Sequence, residues 1–119
     1  EDTLLSIKIY HNPRCSKSRQ TLQLLEEKGV QPDVIEYLKK APSRAELESI
    51  LSMLNMEPRD LMRKGEAIYK KQNLKDNSLS DEQLITAMLE NPILIERPIV
   101  LANGKAAIGR PPETVLEIL

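Results

Sequence analysis

The chain has 119 residues, of which 40% are apolar and 29% charged, a balance typical of one globular domain rather than a disordered segment. Its formal net charge of −1 predicts no general attraction to nucleic acid or to an anionic membrane. No apolar run approaches the roughly 18 residues that a membrane span requires. A single cysteine and the lack of a signal peptide indicate a reducing, cytoplasmic setting.

The first forty residues predict a strand, a helix and a second strand. "SIKIY" (6–10) alternates polar and apolar residues, and Asn12-Pro13 then enforces a turn. Helical spacing follows as far as Gly29, a natural C-cap, and "DVIEYL" (33–38) predicts the second strand. This order within about thirty residues is typical of a βαβ unit with two parallel strands.

The middle of the chain, about 43–91, predicts a set of helices. Ser43 with Glu46 and Ser80 with Gln83 have the spacing of capping boxes, each at the start of a helix. Two shorter helices are predicted between them, in "PRDLMRK" and "EAIYKKQ".

The last part of the chain returns to strands. "RPIVLA" and "KAAIG" flank Asn103-Gly104, a dipeptide that favours a tight hairpin, and "PETVLEIL" predicts a final helix. The order βαβ, helices, ββα is that of an α/β protein with a thioredoxin-like mixed β-sheet and an inserted helical region. We therefore predict a single domain over 1–119 with the insertion at about 43–91.

Cys15 lies where the first strand ends and the first helix begins. The free N–H groups of the helix N-terminus, including those of Lys17 and Ser18, favour an anion there and so lower the pKa of the thiol. The Ser18 hydroxyl is a further candidate donor to the sulfur. The neighbouring side chains add positive potential: Arg14, Lys17 and Arg19. The pattern predicts a reactive thiolate rather than an inert, packed cysteine.

His11, the only histidine, precedes Cys15 by four residues. It could stabilise the thiolate as a cation or within a hydrogen-bond network, or it could only satisfy loop carbonyls. With no other Cys or His, no zinc site is predicted. A phosphatase-type loop needs Arg where Thr21 stands, and a dithiol site needs Cys where Ser18 stands. Cys15 is thus predicted to act alone and to depend on an external thiol.

Three arginines of the second half are candidates for an anion site. Arg97 and Arg110 lie where predicted strands meet loops, and Arg63 lies within the predicted short helix "PRDLMRK". Guanidinium groups that converge on a helix N-terminus would bind a tetrahedral oxyanion, because each planar fork matches two oxygens. A single arginine is more often a solvated surface charge, and spacing alone does not overturn that interpretation for all three.

Four separated motifs resemble the glutaredoxin-coupled arsenate reductase family of ArsC type: "IYHNPRCSKSRQTL", "DLMRK", "NPILIERPIV" and "IGRPPETVLEIL". The resemblance covers nearly the whole chain and implies a thioredoxin-like fold with an inserted helical region. It also implies that Cys15 is the nucleophile and that His11 helps to keep the thiolate. The arginines that the resemblance assigns to the oxyanion are Arg63, Arg97 and Arg110, and it makes Pro98 a cis proline beside the site.

The implied activity is the reduction of arsenate to arsenite, with glutathione as co-substrate, glutaredoxin as partner and no bound cofactor. We expect a monomer that binds arsenate or a similar oxyanion, without nucleic acid or membrane partners. The alternatives within the family are a thiol-redox protein that does not act on arsenate and a regulator that binds RNA polymerase. Redox-switched regulators carry Cys-x-x-Cys, and Ser18 in the last position argues against such a switch.

Overall fold

The computed structural model describes residues 7–119, so Ser6, the first residue of the predicted first strand, lies outside the described residues. The chain divides into two compact units. The sheet unit comprises the chain up to Lys40 together with Arg97–Leu119, and the helical unit comprises Ala41–Glu96.

Four strands form the sheet of the sheet unit. They are β1 (Lys8–His11), β2 (Asp33–Glu36), β3 (Ile99–Ala102) and β4 (Lys105–Ile108). The strand order is β2-β1-β3-β4, in which β1 pairs with β2 in parallel and the other two pairs are antiparallel. The predicted βαβ unit and hairpin are therefore confirmed. β1 extends one residue further than predicted, to His11, and β2 ends two residues earlier.

Helix α1 (Ser16–Glu27) connects β1 with β2 and begins directly after Cys15. It ends in a Schellman motif, in which Gly29 has a φ of +80° and the N–H of Val30 donates to the carbonyl of Leu25 at 2.9 Å. Leu25 also belongs to the core of this unit, a cluster of fully or nearly fully buried side chains: Ile9, Leu25, Val100, Ala107 and Val115. The core thus anchors the helix that carries Cys15 to the strands behind it.

The β3–β4 hairpin turns at Asn103 and Gly104, whose φ angles are +56° and +74°. Both turn residues lie in the left-handed region, as a two-residue type I′ turn requires. The register that follows pairs Ile99 with Ile108, so the residues just outside the hairpin, at 98 and 109, are brought to the same end.

The last element is a 3₁₀ helix, Pro112–Ile118. The sequence predicted an ordinary helix here, and the tighter form is a correction. Pro111 and Pro112 have no N–H to donate, and the N–H of Thr114 donates at 3.0 Å to the carbonyl of Pro111, three residues earlier.

The helical unit contains three α-helices: α2 (Arg44–Leu54), α3 (Ala67–Lys71) and α4 (Asp81–Glu90). Two 3₁₀ helices, Pro58–Leu61 and Pro92–Leu94, complete it. Both predicted capping boxes are present, at Ser43 and at Ser80. Within residues 7–119, no helix combines the length and the apolar character needed to cross a membrane.

Candidate active site

Cys15 is the N-cap residue of α1, with extended backbone angles of −94° and 123°. Its N–H donates to the carbonyl of Asn12 at 2.9 Å, and its own carbonyl accepts from the N–H of Arg19 at 3.0 Å. The side chain is partly exposed. The sulfur therefore stands at the positive end of a twelve-residue helix and remains open to a reactant.

The surroundings of Cys15 lower the pKa of its thiol. Partial burial opposes this, but the backbone N–H groups of Ser18 and Lys17 and the Arg97 side chain favour the thiolate, and the charge of Arg110 adds to them. The Nη2 of Arg110 lies 3.4 Å from the sulfur. Cys15 thus has a larger thiolate fraction at neutral pH than an ordinary cysteine.

Arg97 and Arg110 both lie at the open end of the β3–β4 hairpin, one before β3 and the other after β4. The Nε of Arg110 donates to the carbonyl of Arg97 at 2.8 Å, and the N–H of Gly109 donates to the carbonyl of Pro98 at 2.9 Å. Arg97 is buried. The Arg97–Pro98 peptide bond is cis, and so is the Arg110–Pro111 bond, for which the sequence carried no prediction. The structure brings both arginines together with Cys15.

His11 is buried, and its Nδ1 lies 2.7 Å from the hydroxyl oxygen of Ser18, which also accepts from the N–H of Asn12 at 3.0 Å. Burial lowers the pKa of His11; Glu36 opposes the shift and the charge of Arg19 adds to it. The lowered pKa favours the neutral imidazole over the cation, and the ring forms a hydrogen bond with the Ser18 hydroxyl. The role of His11 in keeping the thiolate stays a prediction.

Ser18 acts on the thiol through its backbone and not through its side chain. Its fully buried hydroxyl forms hydrogen bonds with the His11 ring and the Asn12 N–H. The prediction that this hydroxyl donates to the sulfur is therefore wrong. The N–H of Ser18 is what favours the thiolate. Lys17 acts in the same way, through its backbone N–H.

The loop before Cys15 is closed by contacts that sequence reasoning missed. The Oδ1 of Asn12 accepts from the N–H of Arg14 at 3.0 Å, and the Nη1 of Arg19 donates to the carbonyl of Pro13 at 2.9 Å. The signal was present for Asn12, since an Asn before Pro favours this kind of turn. Arg19 was predicted to add positive potential at Cys15, and its bond to the Pro13 carbonyl also holds the loop in place.

Arg63 lies in the helical unit, whereas Cys15, Arg97 and Arg110 belong to the sheet unit. Its Nε lies 3.1 Å from a carboxylate oxygen of Glu66, and its Nη1 lies 3.0 Å from one of Glu96. Burial opposes the shift, but these two carboxylates raise the pKa of Arg63. Neither acidic partner was foreseen. The role of Arg63 in oxyanion binding stays a prediction.

These features define a class of protein: a thioredoxin-like α/β fold with a single thiol at a helix N-terminus and two arginines beside it. The family model described as "ArsC family" matches residues 10–118 of the chain. The chain belongs to the ArsC family.

Individual relatives match the chain over nearly their whole length. The chain is 60% identical over 114 residues to the uncharacterized protein YfgD of Escherichia coli K12, covering 95% of this chain and 96% of that protein. It is 53% identical over 116 residues to a Haemophilus influenzae protein named arsenate reductase, covering 97% and 100%. A solved structure named arsenate reductase from Vibrio cholerae superposes with a TM-score of 0.94 at 56% identity, covering 97% and 98%. The predicted fold class is confirmed.

Proposed function

We propose that this protein reduces arsenate to arsenite, with Cys15 as the nucleophile. The observation that carries the proposal is the 3.4 Å approach of the Arg110 Nη2 to the Cys15 sulfur at the N-terminus of α1. A nucleophile and an oxyanion-binding group are thereby adjacent. Relatives named arsenate reductase at 53% and 47% identity support the same substrate.

Arsenate is a tetrahedral oxyanion and carries negative charge at neutral pH. The guanidinium groups of Arg97 and Arg110 each offer two parallel N–H donors to its oxygens. The N–H groups at the start of α1 add fixed dipoles aimed at the same place. We propose Arg63 as a third oxyanion-binding residue.

In the first step the Cys15 thiolate attacks arsenic. A sulfur–arsenic bond forms, an arsenic–oxygen bond breaks, and the departing hydroxide takes a proton and leaves as water. Arsenic remains As(V) in the covalent intermediate. The arginines stabilise the negative charge on its remaining oxygens, a contribution that is largest where water is excluded.

Reduction then needs two electrons from thiols outside the chain, because the sequence holds only one cysteine. The glutathione thiol displaces a second hydroxyl as water and forms its own sulfur–arsenic bond. A glutaredoxin thiolate attacks the glutathione sulfur, forms a mixed disulfide and leaves the bonding electron pair on arsenic, which becomes As(III). Hydrolysis of the bond to Cys15 releases arsenite and returns the thiol.

The test is an assay in which the protein, arsenate, glutathione and glutaredoxin are coupled to NADPH oxidation through glutathione reductase. We expect arsenate-dependent turnover that is lost in Cys15→Ser and when glutaredoxin is omitted. Arg110→Lys should lower turnover, whereas Arg14→Lys, the same change at an exposed position of the loop before Cys15, should not. Turnover that survives Cys15→Ser would contradict the proposal. Thiol exchange without arsenate turnover would instead favour the thiol-redox alternative.

A further inference from the structure

Gly109 is a buried glycine between β4 and Arg110. A Cβ built on its backbone would lie 2.8 Å from Cγ of Pro98 and 3.1 Å from Cγ2 of Thr21, and nearer still to the Oγ1 of Thr21. Real Cβ atoms essentially never come within 3.0 Å of such neighbours. Only a hydrogen atom therefore fits between the Gly109 backbone and α1.

The atoms that face Gly109 have little freedom to move. Thr21 is fully buried, and its Oγ1 donates to the carbonyl of Lys17 at 2.8 Å, one helical turn earlier. Pro98 is buried and has a rigid ring. A larger residue at position 109 would force some group to shift. Because Thr21 is buried and bonded to Lys17 and the Pro98 ring is rigid, we expect the shift in the chain that leads to Arg110.

That segment leads directly to the thiol. The N–H of Gly109 donates to the carbonyl of Pro98 at 2.9 Å. The next residue, Arg110, donates through Nε to the carbonyl of Arg97 at 2.8 Å and places Nη2 3.4 Å from the Cys15 sulfur. Hydrogen bonds to the Arg97–Pro98 segment thus hold both the Gly109 backbone and the Arg110 guanidinium in place.

We propose that Gly109 is a positioning residue of the active site: its lack of a side chain lets the hairpin end approach Thr21 closely enough for Arg110 to reach Cys15. The inference rests on the proposed function for its meaning in catalysis. Its test does not, because the thiol can be measured without arsenate.

The decisive variant is Gly109→Ala, and the measurement is the titration of the thiol by absorbance at about 240 nm together with its rate of alkylation. We expect the thiol pKa to rise by about half a unit or more, equal to an about threefold smaller thiolate fraction at a pH below it. The matched control is Gly65→Ala. Gly65 is exposed, and a Cβ there meets nothing within 4 Å, so its thiol pKa should equal that of the parent protein.

Two double variants separate positioning from a loss of stability. Thr21→Ala with Gly109→Ala removes both threonine atoms that the new methyl group meets, and should restore much of the thiol pKa. Thr21→Ser with Gly109→Ala keeps the nearer oxygen, held by its bond to Lys17, and should restore little. A Gly109→Ala variant that is less stable but has the parent thiol pKa would overturn the proposal.

If Gly109→Ala does not fold, Thr21→Val decides. Valine has the shape of threonine, but a methyl group replaces Oγ1 against Gly109, so the thiol pKa should again rise. An unchanged thiol pKa in a folded Thr21→Val protein would then overturn the proposal.

The positioning role and the proposed function can fail separately. A raised thiol pKa in Gly109→Ala, with no arsenate turnover by the parent protein, would support the positioning role and reject the proposed function. A parent-like thiol pKa in Gly109→Ala, together with arsenate turnover by the parent protein, would reject the positioning role and support the proposed function.

Discussion

The Nη2 of Arg110 lies 3.4 Å from the sulfur of Cys15, although 95 positions separate the two residues in the chain. The arginine follows β4, and the cysteine precedes α1. The contact joins a guanidinium group to the only thiol of the protein. It makes the reactivity of Cys15 depend on the C-terminal part of the chain.

Replacing Arg110 with alanine should therefore raise the pKa of the Cys15 thiol. The guanidinium favours the thiolate, so its loss favours the protonated form, and alkylation below the pKa becomes slower. Titration by absorbance and alkylation with iodoacetamide measure both effects. Arg14→Ala is the matched control, since Arg14 is exposed and lies in the same loop as Cys15. A thiol pKa in Arg110→Ala equal to that of the parent protein would show that the contact has no electrostatic effect.

Arg97→Lys should weaken oxyanion binding although it retains the charge. Lysine lacks the planar fork, so at least one charged hydrogen bond to the anion is lost, which corresponds to an about tenfold weaker binding. The measurement is the KM for arsenate, with the binding of sulfate, an unreactive tetrahedral anion, as a second readout. An unchanged KM and sulfate affinity would remove Arg97 from the binding site.

The free energy of unfolding should fall with decreasing pH below about 6.5, and His11 should cause part of the fall. Burial lowers the pKa of His11 in the folded protein, so in this range the unfolded chain binds a proton that the folded protein does not. The contribution is complete above the ordinary value of 6.5 and is lost as the pH falls toward the lowered pKa.

Urea unfolding at about pH 7.5 and pH 5.5, with and without His11→Gln, measures this contribution. Both proteins should carry Cys15→Ser, so that the titration of the thiol does not enter the comparison. The His11→Gln protein should lose less stability between the two pH values. The same loss in both proteins would show that His11 titrates normally.

Arg63→Ala should raise the KM for arsenate if Arg63 binds the oxyanion. Glu66→Gln is the informative companion, because it removes one of the two carboxylates that now hold the guanidinium and leaves the arginine in place. It should leave the KM unchanged or lower it. Each change should cost no more than about 1 kcal/mol of stability, since the ion pairs are partly exposed. A parent-like KM in Arg63→Ala would confine Arg63 to a structural role.

Ser80→Ala should lower the free energy of unfolding by about 1 kcal/mol, because it removes the capping box of α4. As we predict a single domain, amide exchange should report the same loss at Leu84 in the helical unit and at Val100 in the sheet unit. Ser52→Ala, inside α2 and exposed, serves as the control. A loss restricted to Leu84 would mean that the units unfold separately.

The sequence was sufficient wherever a local pattern determines the backbone. The start of α1 at Ser16, the Asn103-Gly104 turn and the two capping boxes were all predictable, because each depends on residues within four positions of one another. The choice between an α- and a 3₁₀ helix after Pro112 was missed, since the two differ by one position in the hydrogen-bond partner.

Side-chain partners were harder to predict than elements. Nothing in the sequence around Ser18 shows that its hydroxyl is engaged by His11 and Asn12 and not by the thiol, because that depends on how β1 and α1 pack. The pairing of Arg63 with Glu96 spans 33 positions and follows only from the folded chain. The close approach of Gly109 to Thr21 also follows only from the folded chain, because a glycine in a sequence motif does not show which residue packs against it.

The two-residue turn at Asn103-Gly104 has a consequence at the opposite end of the hairpin. It fixes the register that pairs Ile99 with Ile108, and Arg97 and Arg110 flank that pair symmetrically, two positions outside it on each strand. A shift of one residue would turn every side chain of β4 to the other face of the sheet. Surface turns usually accept insertions, but here one added residue would separate the two guanidinium groups. The turn therefore sets the position of two residues of the site, although none of its own atoms lies there.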